Sequence, residues 1–135
     1  MGGALLFDKK SNVTLNKCSF RNNKAAEWGG AIAIKNASTL VLNGGGGSGS
    51  VFSNNSAWSG GAIHVQDYST LTINGLVTFM NNTAFYQDYQ ADDYDEALLQ
   101  AGTGGAISLL HCPKATITNV SFIGNNADKV SKKEK

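Results

Sequence analysis

Five of the ten acidic residues of this 135-residue chain, Asp88, Asp92, Asp93, Asp95 and Glu96, crowd into residues 85–103, a stretch without a Lys or Arg. Phe85, Tyr86, Tyr89 and Tyr94 lie among them. Carboxylates at this density invite a hard cation, but calcium loops space their oxygens around turn-making glycines, a spacing absent here. The segment reads instead as a candidate receptor-binding loop in which tyrosines supply contact area, with no metal and no cofactor. Asp93 followed by Glu96 has the form of a capping box, Ala97-Leu98-Leu99-Gln100 that of a helical turn, and Gly102 that of a stop. A short helix is therefore predicted inside the insertion.

One acid–base pair invites a catalytic reading. Lys9, Asn36, Asp67 and His111 occupy equivalent places in four repeats, so Asp67 and His111 would be neighbours. Polysaccharide cleavage needs two or three such groups on one exposed face. The outward positions of the first strand, Leu6, Ala33, His64 and Ser108, and the mainly threonine positions of the second offer no nucleophile or second carboxylate in register. The chain is expected not to be an enzyme. Cys18 is expected to point inward and Cys112 to lie in a turn as an exposed thiol. Three coils would separate them by about 14 Å, against the roughly 7 Å a disulfide allows between Cα atoms, so no intramolecular bridge is expected.

The elements that must position these residues repeat. Gly-Gly-Ala triplets begin at residues 2, 29, 60 and 104, and Phe-x-x-Asn-x-Ala follows at Phe20/Asn23, Phe52/Asn55, Phe79/Asn82 and Phe122/Asn125. Apolar residues alternate after each triplet, first at Leu5/Phe7, Ile32/Ile34, Ile63/Val65 and Ile107/Leu109. They resume at Val13/Leu15, Leu40/Leu42, Leu71/Ile73 and Ala115/Ile117. Period-two alternation with β-branched residues means half-buried strands, and a third short strand is predicted to end on each phenylalanine. Three short strands in about 27 residues make one coil of a parallel β-helix, in which equivalent side chains stack into ladders. An all-β solenoid of about four coils follows, roughly 19 Å tall at about 4.8 Å per coil. The asparagines are predicted at a corner, where Asn tolerates left-handed backbone.

One domain is expected over residues 1–128, carrying the insertion 85–103 and followed by a charged tail, 129–135. Residues 44–50, all Gly and Ser, read as a native flexible loop or as an engineered linker. Neither end carries a polar cap, so the chain reads as a piece of a longer solenoid whose uncapped ends can self-associate. Trp28 and Trp58 precede two triplets at a coil corner, where stacking on each other is the expected arrangement. A net charge of +1 argues against nucleic acid as a partner, and no apolar run is long enough for this fragment to insert directly into a membrane.

Alternating GGA[ILV] and FxxN motifs resemble the passenger repeats of the chlamydial polymorphic membrane proteins, a family of autotransporter-like surface proteins. The motif residues are Gly29-Gly30-Ala31-Ile32, Gly60-Gly61-Ala62-Ile63, Gly104-Gly105-Ala106-Ile107 and, in its leucine form, Gly2-Gly3-Ala4-Leu5. With the four FxxN tetrads they cover nearly the whole chain apart from the insertion and the tail. The resemblance implies a right-handed β-helical passenger at the bacterial cell surface or outer membrane, or secreted after processing. It also implies an adhesin for a host cell-surface protein receptor, and it links both motifs to adhesion. The alternative is a structural stalk or self-associating spacer without a receptor site. Glycine and phenylalanine positions that build corners and core can matter to binding only by holding the surface in shape.

Overall fold

A computed structural model describes residues 1–85 and 102–128. The short helix expected in the insertion and the tail 129–135 lie outside the described residues. Coil one holds β1 (Leu5–Phe7), β2 (Asn12–Asn16) and β3 (Ser19–Arg21); coil two holds β4 (Ile32–Ile34), β5 (Thr39–Ser53) and β6 (Ser56–Ala57). Coil three holds β7 (Ile63–Val65), β8 (Thr70–Met80) and β9 (Thr83–Phe85). Coil four holds β10 (Ile107–Leu109), β11 (Lys114–Ile117), β12 (Val120–Ile123) and β13 (Asn126–Asp128). Every pairing between these strands is parallel and joins one coil to the next. The result is a parallel β-helix of four coils.

The first sheet runs β1-β4-β7-β10, with Leu5, Ile32, Ile63 and Ile107 in one column. The second sheet takes β5 and β8 at its centre, with β2 and β3 on one side and β11 and β12 on the other. The third, β6-β9-β13, was not anticipated. The strand ending on phenylalanine belongs to the second sheet, fused with its predecessor in β5 and β8. The Asn-x-Ala segment after it builds the third. A left-handed residue explains the corner: Asn22, Asn54, Asn81 and Gly124, each just before the motif asparagine, have φ of 54–60°. The motif asparagine itself is therefore not the left-handed residue. Its neighbour turns the chain, which leaves its own side chain free to face inward.

Residues 44–50 do not form a separate loop. They lie within β5 as an irregularity, with register shifts between Asn43 and Gly45 and between Gly45 and Ser50. Nothing approaches the Cβ positions of Gly46 or Gly47 within 4 Å, so the surplus residues bulge into open space. A strand pair accommodates extra residues this way without losing the pairing on either side.

Phe20, Phe52, Phe79 and Phe122 stack in one column at centroid separations of 4.9, 4.8 and 5.3 Å, with Phe52 and Phe79 fully buried at its centre. Ile32, Ile34, Leu40, Leu42, Ile63, Val65, Leu71 and Ile73 complete a fully buried core. Each such side chain contributes about 1.5–3 kcal/mol of burial. The Gly-Gly-Ala triplet is a corner with three different demands. The first glycine takes a left-handed φ of 60–65° at Gly29, Gly60 and Gly104. A Cβ on the second, as at Gly30 or Gly61, would collide with the backbone of the following coil. The alanine packs into the core, fully buried at Ala31 and Ala62. Only this order of residues satisfies the three positions.

Candidate functional site

In coils two and three the motif residues face inward. Gly29, Gly30, Ala31, Ile32, Phe52, Asn55, Gly60, Gly61, Ala62, Ile63, Phe79 and Asn82 are all buried. In coil four Ala106 is buried, Gly104, Gly105, Ile107 and Asn125 are half-buried, and Phe122 is exposed. The motif asparagines form a column. Asn55 receives Asn23 N–H and Nδ2–H on its Oδ1 at 3.0 and 2.9 Å, and Asn82 receives Asn55 in the same way. Asn125 receives Asn82 at 3.0 and 2.8 Å. Each Nδ2 of Asn55, Asn82 and Asn125 also donates to the preceding coil's phenylalanine carbonyl. Serines do the same at another corner, where Ser11 and Ser38 N–H donate to Ser38 and Ser69 Oγ, each at 3.1 Å.

The insertion stands on two fixed feet at the corner between the third and first sheets. Phe85, the last residue of β9, pairs with Asp128, and Lys24 Nζ lies 5.6 Å from its ring centroid. Thr103 bridges Ser59, and Gly102 N–H donates to the Trp58 carbonyl at 2.6 Å. Between the feet, Tyr86, Asp88, Tyr89, Asp92, Asp93, Tyr94, Asp95 and Glu96 fall outside the described residues.

Beside the second foot the outer face of the first sheet is closed. Ala33 and His64, expected outward and open, are 3% and 1% exposed. Trp28 covers His64, its ring stacked at 5.7 Å and 14°. The two tryptophans do not stack on each other because they are out of register: Trp28 pairs with Ser59, the residue after Trp58. Trp58 keeps a buried indole Nε1–H without a partner among the described residues.

Beneath Trp28 runs a polar relay. Ser59 Oγ lies 3.1 Å from His64 Nδ1, 3.0 Å from Thr103 Oγ1 and 2.9 Å from Ser108 Oγ. His64 Nε2 meets Gln66 Oε1 at 2.9 Å, and Gln66 Nε2 donates to Asp67 Oδ2 at 2.8 Å. Since an amide oxygen only accepts, Nε2 carries the ring proton. Loss of water around the ring holds the His64 pKa below its ordinary value, against the opposing pull of Gln66 and Asp67. Asp67 is thus engaged by Gln66 rather than by His111, which is exposed and meets its neighbouring coil through its carbonyl, an acceptor for Tyr68 N–H. Elsewhere, the half-buried Asp8 carboxyl is held below its ordinary pKa, first by Asn36 and further by Lys35 at 3.4 Å.

Repeat logic missed this relay because it assigns alternate strand residues to solvent. The legible signal was the column Trp28–Ser59–Thr103, one residue before each triplet and beside the outward positions His64 and Ser108. The thiols also depart from expectation. Cys112 packs against the core, whereas Cys18 Sγ sits 3.4 Å from the Asn16 carbonyl; both are free. Among the described residues no three His, Cys, Asp or Glu side chains converge as metal ligands, and no helix is long and apolar enough to cross a membrane.

Residues 17–35, 49–66 and 76–109, more than half of the chain, match the Chlamydia polymorphic membrane protein (Chlamydia_PMP) repeat. No curated protein and no solved structure matches the chain.

Proposed function

This chain belongs to the Chlamydia polymorphic membrane protein family, a family of autotransporter-type surface proteins, and on that premise we propose that it is part of an adhesive passenger that attaches to host cells through a protein receptor. It acts as a binding scaffold and not as an enzyme. The observation that carries this reading is the insertion held at both ends: Phe85 is fixed in the third sheet and Thr103 on Ser59. Tyr86, Tyr89 and Tyr94, with Asp88, Asp92, Asp93, Asp95 and Glu96, are the contact residues, carried where a stiff scaffold limits the entropy lost on binding. The buried motif residues keep that scaffold in shape.

The test is binding of the folded chain to host epithelial cells, beside a version in which residues 86–101 are replaced by a short turn. Binding by the parent, with loss in the replacement, is the expected result. Equal binding by both moves recognition from the loop to the repeated faces. Failure of both while folded sinks the adhesive reading for this segment. A second reading, that of a spacer without a receptor site, is favoured by the inward direction of the motifs in coils two and three, which leaves them nothing to offer a partner.

A further inference from the structure

His64 is an ionisable ring sealed on the outward side of its strand. It stands in register between Ala33 and Ser108, yet it is 1% exposed, and Ser59 beside it is fully buried. Two elements cover the pair. Trp28 stacks on the ring at 5.7 Å. The second foot of the insertion closes the other side, where Thr103 Oγ1 lies 3.0 Å from Ser59 Oγ.

The relay has one hydrogen for two claims. With the ring proton on Nε2, facing Gln66 Oε1 at 2.9 Å, Nδ1 of the neutral ring can only accept, and Ser59 O–H is its donor at 3.1 Å. The same O–H is also placed to donate to Ser108 Oγ at 2.9 Å. A proton taken from solvent at Nδ1 reverses the first bond. Nδ1–H then donates to Ser59 Oγ, and the Ser59 hydrogen passes to Ser108. Hydrogen bonding therefore accepts the charge, and what opposes it is the lack of water. The His64 pKa lies below its ordinary value because desolvation outweighs Gln66 and Asp67.

Few charged groups among the described residues face the ring. Asp67, just beyond its own strand, attracts a ring charge and is reached through Gln66. From coil two, Lys35 follows β4 as Gln66 follows β7, and it is paired with Asp8 of coil one at 3.4 Å. The Met1 amino group opposes the charge and pairs at 3.8 Å with Glu27, the neighbour of Trp28. Coil four sets Ser108 beside the ring, with exposed His111 at the corner that follows.

A buried charge is stabilised by meeting water, so one of the two covers must yield. The face of an indole attracts a cation within about 6 Å of its centroid, so charge tightens Trp28 onto the ring. The foot gains nothing from the charge and is the cover that opens. We propose that His64 is an acid-released latch: a proton on its ring frees Gly102 and Thr103 from Trp58 and Ser59. Near the ordinary histidine value of 6.5 the closed latch binds fewer protons than the open one, so release grows as pH falls through that value. The latch concerns how the foot is held and not what the insertion contacts, so its failure and that of the adhesive reading are separate results.

Two amides read the latch directly. Gly102 N–H donates to the Trp58 carbonyl at 2.6 Å, and Gly60 N–H donates to the Thr103 carbonyl at 2.9 Å. Hydrogen exchange followed by NMR, corrected for its intrinsic pH dependence, should show their protection falling about tenfold between about pH 7 and about pH 5, where histidine charges. The midpoint should coincide with titration of the His64 ring. Ala31 N–H, bonded to the Ala62 carbonyl at 2.9 Å, should keep its protection. His64→Gln should hold both reporter amides protected throughout, whereas His111→Gln, which removes the chain's other histidine, should leave the release unchanged. Constant protection in the unmodified chain, equal loss at Ala31, or release that survives His64→Gln overturns the proposal. Should His64→Gln fail to fold, Asp67→Asn keeps an acceptor for Gln66 while deleting the charge, and it must move the release to lower pH. An unmoved midpoint in that variant sinks the latch.

Discussion

Replacing Asn82 by alanine removes a fully buried amide from the middle of the column, stripping Asn55 N–H and Nδ2–H of their acceptor and the Phe52 carbonyl of its donor. Buried groups left unpaired cost about 1–3 kcal/mol each, so Asn82→Ala should lower stability by about 3 kcal/mol. Asn23→Ala, at the half-solvated end, should lower it by under about 1 kcal/mol. Urea unfolding midpoints compare the two, and equal losses would mean that the column is not what holds the corner. His64 makes a different prediction. Its folded pKa lies below the unfolded value of 6.5, so between the two the unfolded chain binds more protons. Stability should therefore fall as pH drops below about 6.5. His64→Gln, whatever its starting stability, should flatten that fall. Thermal midpoints at a series of pH values read the slope, and an unchanged slope in the variant would assign the proton uptake to another group.

At the scale of the strand, β5 is the informative case. Deleting residues 46–49 would bring Gly44, Gly45 and Ser50 opposite Gly75, Leu76 and Val77, restoring the unbroken register of the neighbouring coil. The deletion should change stability by less than about 1 kcal/mol, since Gly46 and Gly47 stand in open space, Gly49 lies against Leu76 in a place that Gly45 or Ser50 can take over, and a shorter connection closes at slightly lower entropy cost. A loss of cooperative unfolding would mean that the bulge is structural. The same strand marks where reading the sequence succeeds and fails. Ladders put like over like, so Phe52 over Phe79 and Leu42 over Ile73 were legible from spacing alone. The third sheet was not, because two-residue and three-residue strands such as β6 and β9 are too short to have a period. The insertion was legible as an interruption, but the relay of Ser59, His64, Gln66 and Asp67 was hidden. Its burial depends on Trp28, a residue from another coil that alternation along one strand does not reveal.

Across the whole molecule, coils two and three are paired on both sides and coils one and four on one side only. Stability in such stacks is a sum of neighbour contacts. Amide hydrogen exchange should therefore be slowest in β5, β7 and β8 and fastest in β2, β3 and β12, as the ends open before the middle. Uniform protection would indicate a single cooperative unit without fraying. The asparagine column adds something that concerns heredity more than energetics. Since every coil greets the next with the same donor and acceptor in the same phase, a crossover between any two copies of the repeat in the gene yields a chain whose joints still fit. Lengthening or shortening by whole repeats then leaves the grammar of the protein intact. A slip of a few codons within a strand, as at residues 46–49 of β5, is confined to one coil. Such a gene can vary its length and its decoration quickly while its scaffold stays the same.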